Sequence, residues 1–244
     1  MLLAQKAYCE GALALNMYCA KLVDEGRTGN AEEAARAKLL LEVLTPIAKS
    51  WPSENCLEAN SLAIQIHGGY GYTRDFPVEQ YWRDNRLNMI HEGTHGIQAA
   101  DLLGRKVIMQ SGAGLQLLAQ TIQGTIEKAL TQPALARYAN DLAKALQEVG
   151  AATKAAWATG NPQEALANAV PYMQAFGHTV LAWIWLEVAL KVQEQDAVLS
   201  SAANVGRMGA VRYFYHYELP KIAAWLKVVT TRDMSCAHLP VDAF

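Results

Sequence analysis

Residues 8–22, YCEGALALNMYCAKL, set the fold at the start of the chain. Apolar or small side chains recur here in alternating steps of four and three residues, which lays one apolar stripe along an α-helix. We therefore predict a helix that buries this stripe and ends at Gly26. The stripe consists of Tyr8, Ala12, Leu15, Cys19 and Leu22.

A second long helix is predicted to begin after Asn30. The Asn30 side chain is placed to cap this helix, and Glu33 stands where a capping-box acid reaches back to the cap. Pro46 and Pro52 lie inside the helical pattern. Because proline removes a backbone donor and clashes with the preceding turn, we expect the helix to bend or break at both before it resumes up to residue 66.

Two further helices complete the first unit. The glycine cluster at residues 68–71 predicts a turn, and Pro77 suits the first position of a third helix running to about Met89. A fourth helix is predicted after Gly93. Its predicted apolar face consists of Ile97, Ala100, Leu103 and Val107. Residues 1–110 are thus predicted to form a four-helix bundle.

A second helical unit is predicted for residues 111–244. The small residues at positions 111–114 form a flexible segment that marks the boundary, because the Ala- and Leu-rich stretch after it has a different composition. We see no β-type alternation, so the whole chain is predicted to be all-α. The predicted helices lie near 113–130, 134–157, 162–195 and 200–229, with kinks at Pro171 and Pro220.

Composition narrows the class of protein. The 244 residues are 52% apolar and carry a formal charge of −2. The sequence has no dense Lys/Arg block, so a nucleic-acid-binding surface is not predicted. The most apolar stretch, residues 180–192, is shorter than the ~20 residues that span a bilayer, so we predict a buried helix and no membrane span. The four cysteines form no CxxC pair, which predicts reduced thiols in the cytoplasm.

His91-Glu92-Gly93-Thr94-His95 matches the H-E-x-x-H pattern of zinc peptidases. That pattern needs both imidazoles on one continuous helix. Gly93 costs about 1 kcal/mol inside a helix, and Thr94 suits a helix start better than a helix middle. A zinc hydrolase therefore remains only an alternative, and no metal ligand is assigned.

The same segment has a longer context. Gln65-Ile66-His67-Gly68-Gly69-Tyr70-Gly71-Tyr72 is followed by Pro77-Val78-Glu79 and then by Ile90-His91-Glu92-Gly93-Thr94. In order, spacing and residue type these motifs closely resemble the C-terminal helical domain of the flavin-dependent acyl-CoA dehydrogenases. Residues 111–244 more loosely resemble the extra helical domain of the long bacterial subgroup, which includes enzymes acting on 3-methylmercaptopropionyl-CoA.

The resemblance implies a catalytic role for Glu92. In that family the glutamate of the Glu-Gly-Thr motif takes the α-proton of an acyl-CoA, while the β-hydrogen leaves as hydride to FAD and a trans-2-enoyl-CoA forms, as in fatty-acid β-oxidation. An α-proton beside a thioester is weakly acidic, so its base has to be close and shielded from water. Gly93 is implied to lie against the substrate thioester, where a side chain could obstruct it.

The resemblance also implies contacts with FAD. Residues 65–69 correspond to a run that usually touches the flavin of the neighbouring subunit, and Thr94 corresponds to a threonine that touches the cofactor. Gly96 stands where many members have a cofactor-binding glutamine, so that side-chain contact is expected to be missing or replaced. The residues assigned to FAD are Gln65, Ile66, His67, Gly68, Gly69, Thr94 and Gly96.

The implied enzyme is larger than this chain. Family members have an N-terminal helical domain and a middle β-domain that supply much of the flavin and CoA site, and neither is present in this sequence. We therefore expect this chain alone to be inactive and not to retain FAD. The implied partners are an acyl-CoA substrate, an electron-transfer flavoprotein or similar acceptor, and a second copy in a homodimer.

A non-catalytic helical interaction module is a further alternative. In that hypothesis residues 111–244 dock subunits, with aromatic side chains as interface anchors. Aromatic residues at helical spacing are more typical of a core. The candidate anchors are Trp183, Trp185, Tyr213, Phe214 and Tyr215.

Overall fold

The computed structural model describes residues 1–91, 93–194 and 201–243. Most of these residues are helical and none of them forms a β-strand, which confirms the all-α prediction. Helices α1 (Leu2–Thr28) and α2 (Ala31–His67) pack side by side. The shorter helices α3 (Val78–Asn85) and α4 (His95–Asp101) follow them.

The start of α2 has the predicted capping box. The Asn30 side chain accepts hydrogen bonds from the backbone N–H groups of Glu32 and Glu33, both at 3.0 Å. The Glu33 carboxylate in turn accepts from the Asn30 N–H at 3.0 Å. These bonds satisfy donors that the first turn of a helix leaves without partners.

We expect Asn30→Ala to lower the free energy of unfolding by about 1 kcal/mol, because the alanine side chain accepts no hydrogen bond from the first turn. Urea denaturation followed by circular dichroism measures this difference. Asn30→Asp is the matched control and should stay near the wild-type value, since aspartate caps as well as asparagine. Equal losses in the two variants would show that the cap contributes nothing.

Helix α2 does not break at the prolines where a bend or break is predicted. Pro46 and Pro52 both lie inside a helix that runs without interruption to His67. Side-chain donors near the prolines bond to backbone carbonyls, with Thr45 Oγ1 on Leu41 O at 2.6 Å and Ser53 Oγ on Lys49 O at 2.9 Å. Proline leaves the carbonyls of Glu42 and Ala48 without an N–H donor, so these two hydroxyls bond to carbonyls beside them and do not replace the missing bonds.

The predicted apolar face of the fourth helix is only partly correct. Leu103 and Val107 are buried, but Ile97 is 63% exposed. The chain forms a π-helical turn over Leu102–Lys106. Because a π turn holds more residues than an α turn, a constant α-helical spacing fails across it.

The predicted domain boundary coincides with a change of backbone direction. Helix α5 (Met109–Leu130) contains a kink at Gln110, Ser111 and Gly112, whose φ angles are 49°, 56° and 84°. Such left-handed angles are unfavourable for the first two residues and easy for glycine. The division into residues 1–110 and 111–244 stays a prediction.

The C-terminal helices are shorter than predicted. The expected helix 162–195 is interrupted between α7 and α8, and Pro171 lies in the first turn of α8, where a proline is tolerated without a kink. The expected helix 200–229 is interrupted by a π turn and a 3₁₀ turn that contains Pro220. The helices are α6 (Ala136–Ala156), α7 (Pro162–Leu166), α8 (Ala169–Gln193), α9 (Ala202–Tyr213), α10 (Ile222–Thr231) and α11 (Ser235–His238).

Helix α8 lies at the centre of the structure. It is long and apolar enough to cross a membrane by length and composition, yet 83% of its most apolar window is buried among the other helices. Trp183 and Trp185 are each only 1% exposed. Phe214 and Tyr215, which follow α9, are buried as well, so these four aromatic side chains are core residues and not interface anchors.

Two tryptophans fit against glycines across the predicted boundary. A Cβ atom added at Gly11 in α1 would lie 2.7 Å from Trp185 Nε1 of α8, which also donates to Ala7 O at 3.3 Å. Conversely, a Cβ atom at Gly177 in α8 would lie 2.7 Å from Trp51 of α2. Each of the two predicted units therefore packs one of its glycines against an indole ring of the other unit.

Candidate active site

The end of α2 forms an open glycine turn. Gly68 has a φ of +61° and starts a 3₁₀ helix, Gly68–Tyr72, that turns the chain away from α2. A Cβ atom at Gly71 would lie 2.6 Å from Ile64 O, so the turn closes tightly against α2. A Cβ atom at Gly69 would meet no described atom within 4 Å. Gly71 thus has a packing reason to be glycine, whereas Gly69 does not.

This contrast gives a matched pair of variants. We expect Gly71→Ala to lower the free energy of unfolding by about 1–3 kcal/mol, because the methyl group overlaps backbone. Gly69→Ala should leave stability within about 0.5 kcal/mol of wild type. Thermal melts of the two variants measure both effects. A large loss in Gly69→Ala would show that this glycine is required by the fold and not by a ligand.

The second predicted segment forms the start of α4. Gly93 has a φ of +107°, which turns the chain out of helical geometry, and α4 begins only at His95. Thr94 occupies the N-cap position, but its side chain makes no capping hydrogen bond to the described helix. Glu92, the predicted base, lies outside the residues that the structure describes.

His95 attaches this segment to the middle of α2. Its Nδ1 atom is hydrogen-bonded to Ser50 Oγ, and its Nε2 atom lies 3.9 Å from Glu54 Oε2. The His95 side chain is only 19% exposed. The hydrogen bond between His95 and the Ser50 hydroxyl ties the first residue of α4 to α2.

The geometry does not favour the zinc alternative. His91 lies in a turn before Gly93 and His95 lies in α4 after it, so the two imidazoles do not share a helix. Among residues 1–91, 93–194 and 201–243, no three metal-binding side chains of the His, Cys, Asp or Glu type come together. The left-handed Gly93 is the physical reason that the pattern H-E-x-x-H is not helical here.

The two predicted cofactor segments lie far apart along α2. His95 contacts α2 at Ser50, whereas Gln65 lies about fifteen residues further along the same helix, roughly 22 Å at the α-helical rise. A single chain therefore does not bring the two predicted cofactor segments together at one site. Apart from the half-buried Gly93, the described residues of the predicted site are exposed: Gln65, Ile66, His67, Gly68, Gly69, Thr94 and Gly96.

A buried ionic cluster joins α1 to the turn that follows α9. Glu218 is 1% exposed and accepts hydrogen bonds from Tyr8 Oη at 2.8 Å and from Lys221 Nζ at 2.6 Å. His178 Nε2 lies 3.5 Å from the same carboxylate. Burial raises the pKa of Glu218, but the nearby His178 and the hydrogen bonds from Lys221 and Tyr8 outweigh it and hold this pKa at about 2.

The cluster borders a cavity of about 440 Å³. Tyr8 and His178 line this cavity together with Trp82 and Met89. Sequence reasoning missed these residues as a group. Tyr8 and Glu218 are 210 residues apart in the chain, so no local pattern could pair them.

The family comparison covers both halves of the chain. Residues 1–108 match the family described as "Acyl-CoA dehydrogenase, C-terminal domain". Residues 118–240, half of the chain, match the family described as "Acetyl-CoA dehydrogenase C-terminal like". The chain belongs to the acyl-CoA dehydrogenase family.

Relatives of this acyl-CoA dehydrogenase chain include two long enzymes. A 3-methylmercaptopropionyl-CoA dehydrogenase of Ruegeria pomeroyi is 36% identical over 84% of this chain and 35% of the relative. The broad-specificity linear acyl-CoA dehydrogenase FadE5 of Mycobacterium tuberculosis is 28% identical over 100% of this chain and 42% of the relative. The chain thus spans about two fifths of the length of these relatives.

A solved acyl-CoA dehydrogenase has a similar fold. The crystal structure of an acyl-CoA dehydrogenase from Bacillus anthracis, complexed with FAD, superposes with a TM-score of 0.64. The similarity covers 93% of this chain and 40% of that one at 17% sequence identity. At this identity the comparison supports the helical fold of the family and nothing finer.

Proposed function

We propose that this chain is the helical C-terminal portion of an FAD-dependent acyl-CoA dehydrogenase, in which Glu92 removes the α-proton of an acyl-CoA and a trans-2-enoyl-CoA forms. The observation that carries the proposal is the motif Glu92-Gly93-Thr94 in a chain of this family. The left-handed Gly93 and the start of α4 at His95 support it, because Gly93 and Thr94 precede a helix that His95 anchors to α2.

The proposed flavin contacts suit the local geometry. FAD, when bound, accepts the β-hydrogen of the substrate as hydride. The open space at Gly68 and Gly69 supports a close approach of cofactor to backbone, because no described atom fills it. The hydroxyl of Thr94, which makes no capping bond to the described helix, supports a polar contact at the second segment.

We further propose that the enzyme is a homodimer in the cytoplasm. The separation of roughly 22 Å along α2 supports two flavin contacts made in different subunits. Exposed apolar side chains support a covered surface in the assembled enzyme. They are Ile66, Tyr70, Tyr72, Phe76, Tyr81, Trp82, Leu87, Ile90 and Ile97. Four free cysteines support a reducing compartment.

Other parts of the enzyme complete the proposed reaction. The N-terminal helical and β-domains of such an enzyme would shape much of the flavin and CoA site, so this chain alone is proposed to be inactive. An electron-transfer flavoprotein or similar acceptor would reoxidise the flavin. Acyl-CoA is the proposed substrate class, and the exact acyl group depends on elements outside this chain.

Flavin absorbance tests the proposal. The natural full-length enzyme that contains this chain should bind flavin, and butyryl-CoA or 3-methylmercaptopropionyl-CoA should bleach its visible absorbance anaerobically. The 244-residue chain alone should show neither signal. A flavin that no acyl-CoA bleaches would overturn the proposed activity, whereas bleaching by the isolated chain would overturn the claim that other domains are needed.

A further inference from the structure

A cavity of about 810 Å³ is formed by both predicted units of the chain. Its wall contains residues of α1, α2, α5, α8 and α9. The volume lies within the range of about 300–1,000 Å³ that is typical of small-molecule sites. Arg36, which lines the cavity, precedes Ser50 on α2 by fourteen residues, roughly 21 Å at the α-helical rise. The cavity is therefore separate from the segment that His95 anchors to α2.

Positive charge is concentrated around this cavity. Five of its lining side chains are cationic and one, Glu187, is anionic, although the whole chain has a formal charge of −2. Lys21 pairs with Glu25 at 3.2 Å. Lys191 pairs with Glu194 at 2.7 Å. The lining cations that form no ion pair within residues 1–91, 93–194 and 201–243 are Arg36, Lys128 and Arg207.

Neutral groups hold two of these cations in place. Arg36 Nη2 donates a hydrogen bond to Thr121 Oγ1 at 3.2 Å, and Arg207 Nη1 donates to Asn204 Oδ1 at 2.7 Å. Asn204 is only 2% exposed, so Arg207 is held by a buried group. A neutral partner orients a guanidinium group without cancelling its charge. Because a guanidinium group carries five N–H donors, each arginine keeps donors for a bound anion.

The rest of the wall suits a flat polar ring. Tyr18 is half-buried, and its ring centroid lies 5.0 Å from that of Trp183. The exposed Gln120 amide makes no hydrogen bond to a described residue. A Cβ atom at Gly124 would meet no described atom within 4 Å, so the cavity is open on that side. An aromatic ring and a free amide are groups that bind the faces and edges of nucleobases.

We propose that this cavity is a binding site for a nucleoside polyphosphate. Arg36, Lys128 and Arg207 would contact the phosphate groups, because guanidinium groups pair with phosphate oxygens in a bidentate manner and lysine adds a point charge. Phosphate alone would fill only a small part of the 810 Å³, which favours an anion joined to a larger group. The proposal does not rest on the proposed dehydrogenase activity, because it uses none of the flavin or substrate contacts.

Calorimetric titration of the 244-residue chain with ADP tests the proposal. ADP should bind saturably and raise the midpoint of thermal unfolding, because a ligand that binds only the folded state stabilises it. Adenosine, which lacks the phosphates, and inorganic phosphate, which lacks the ring, should both bind more weakly. Arg36→Gln and Arg207→Gln should each weaken ADP binding by about 10–100-fold, since each removes charged donors to phosphate.

Matched variants assign the site. Arg137→Gln changes a surface arginine of α6 outside the cavity and should leave ADP affinity unchanged. Gly124→Leu should weaken ADP binding by filling the open side, whereas Gly150→Leu adds the same side chain to an open position on α6 and should not.

Three outcomes would overturn the proposal. The first is an absence of saturable binding at millimolar ADP. The second is an equal affinity for inorganic phosphate, which would exclude a nucleotide-sized ligand. The third is wild-type affinity in both Arg36→Gln and Arg207→Gln, which would place ADP at another site, such as the proposed flavin contacts.

Discussion

In the flavin-containing enzyme, Glu92→Gln is expected to lower acyl-CoA-dependent turnover by about 10²–10⁴-fold. The amide keeps the size of the side chain but does not accept the α-proton of the substrate. Flavin content should stay at the wild-type level, because the proposed contacts of Gly69 and Thr94 with FAD are untouched. Flavin absorbance and steady-state turnover, measured on the same preparation, check both halves of this expectation.

Two controls make this experiment specific. Glu92→Asp keeps a carboxylate with a shorter reach and should retain more activity than Glu92→Gln. Glu148→Gln changes a surface acid on α6 and should leave turnover unchanged. Turnover of Glu92→Gln within a few-fold of wild type would place the base elsewhere. A parallel loss of flavin would indicate a structural role for Glu92.

Glu218→Gln is expected to produce the largest loss of stability. The neutral amide forms no ion pair with Lys221, whose side chain is 48% exposed, and losing hydrogen bonds to a buried charged group costs about 1.5–3 kcal/mol. The free energy of unfolding from urea titrations at neutral pH measures it. Glu148→Gln is again the control, because its half-exposed pair with Lys144 is worth about 0.5 kcal/mol.

The same variant predicts a pH dependence. The pKa of Glu218 is about 2 in the folded chain against an ordinary value of 4.5. Its ionised form therefore stabilises the fold fully above about pH 4.5, and this stabilisation is lost as the pH falls towards 2. The difference in stability between wild type and Glu218→Gln should shrink over that range. A difference that stays constant down to pH 2 would contradict the assignment.

Interactions between residues that are close together in the chain were predictable from the sequence. Asn30 and Glu33 are three residues apart, and the predicted capping box is present. The interruption of the H-E-x-x-H helix at Gly93 was predictable for the same reason, because a single residue's backbone preference decides it. The roles assigned to Glu92 and to the flavin-contacting residues stay predictions.

Features that depend on tertiary packing were not predictable. Proline rules indicated a bend or break at Pro46, but that residue is buried within a helix that continues without a break. Ile97 is exposed although Leu103 is buried, because a π turn interrupts the α-helical spacing after α4. No residue pattern predicted this π turn. The Glu218 cluster joins helices from opposite ends of the chain, so it becomes visible only once they pack.

The reciprocal fit of glycine and tryptophan also constrains how such a chain can evolve. A residue larger than glycine at position 11 is compatible with the fold only if Trp185 shrinks, and the same holds for position 177 and Trp51. Substitutions at these sites must therefore arise as pairs that span the two family regions. In a lineage that lost the second region, the space beside Gly11 would be unfilled and the Trp51 indole would be uncovered. Both positions should therefore carry substitutions in such a lineage.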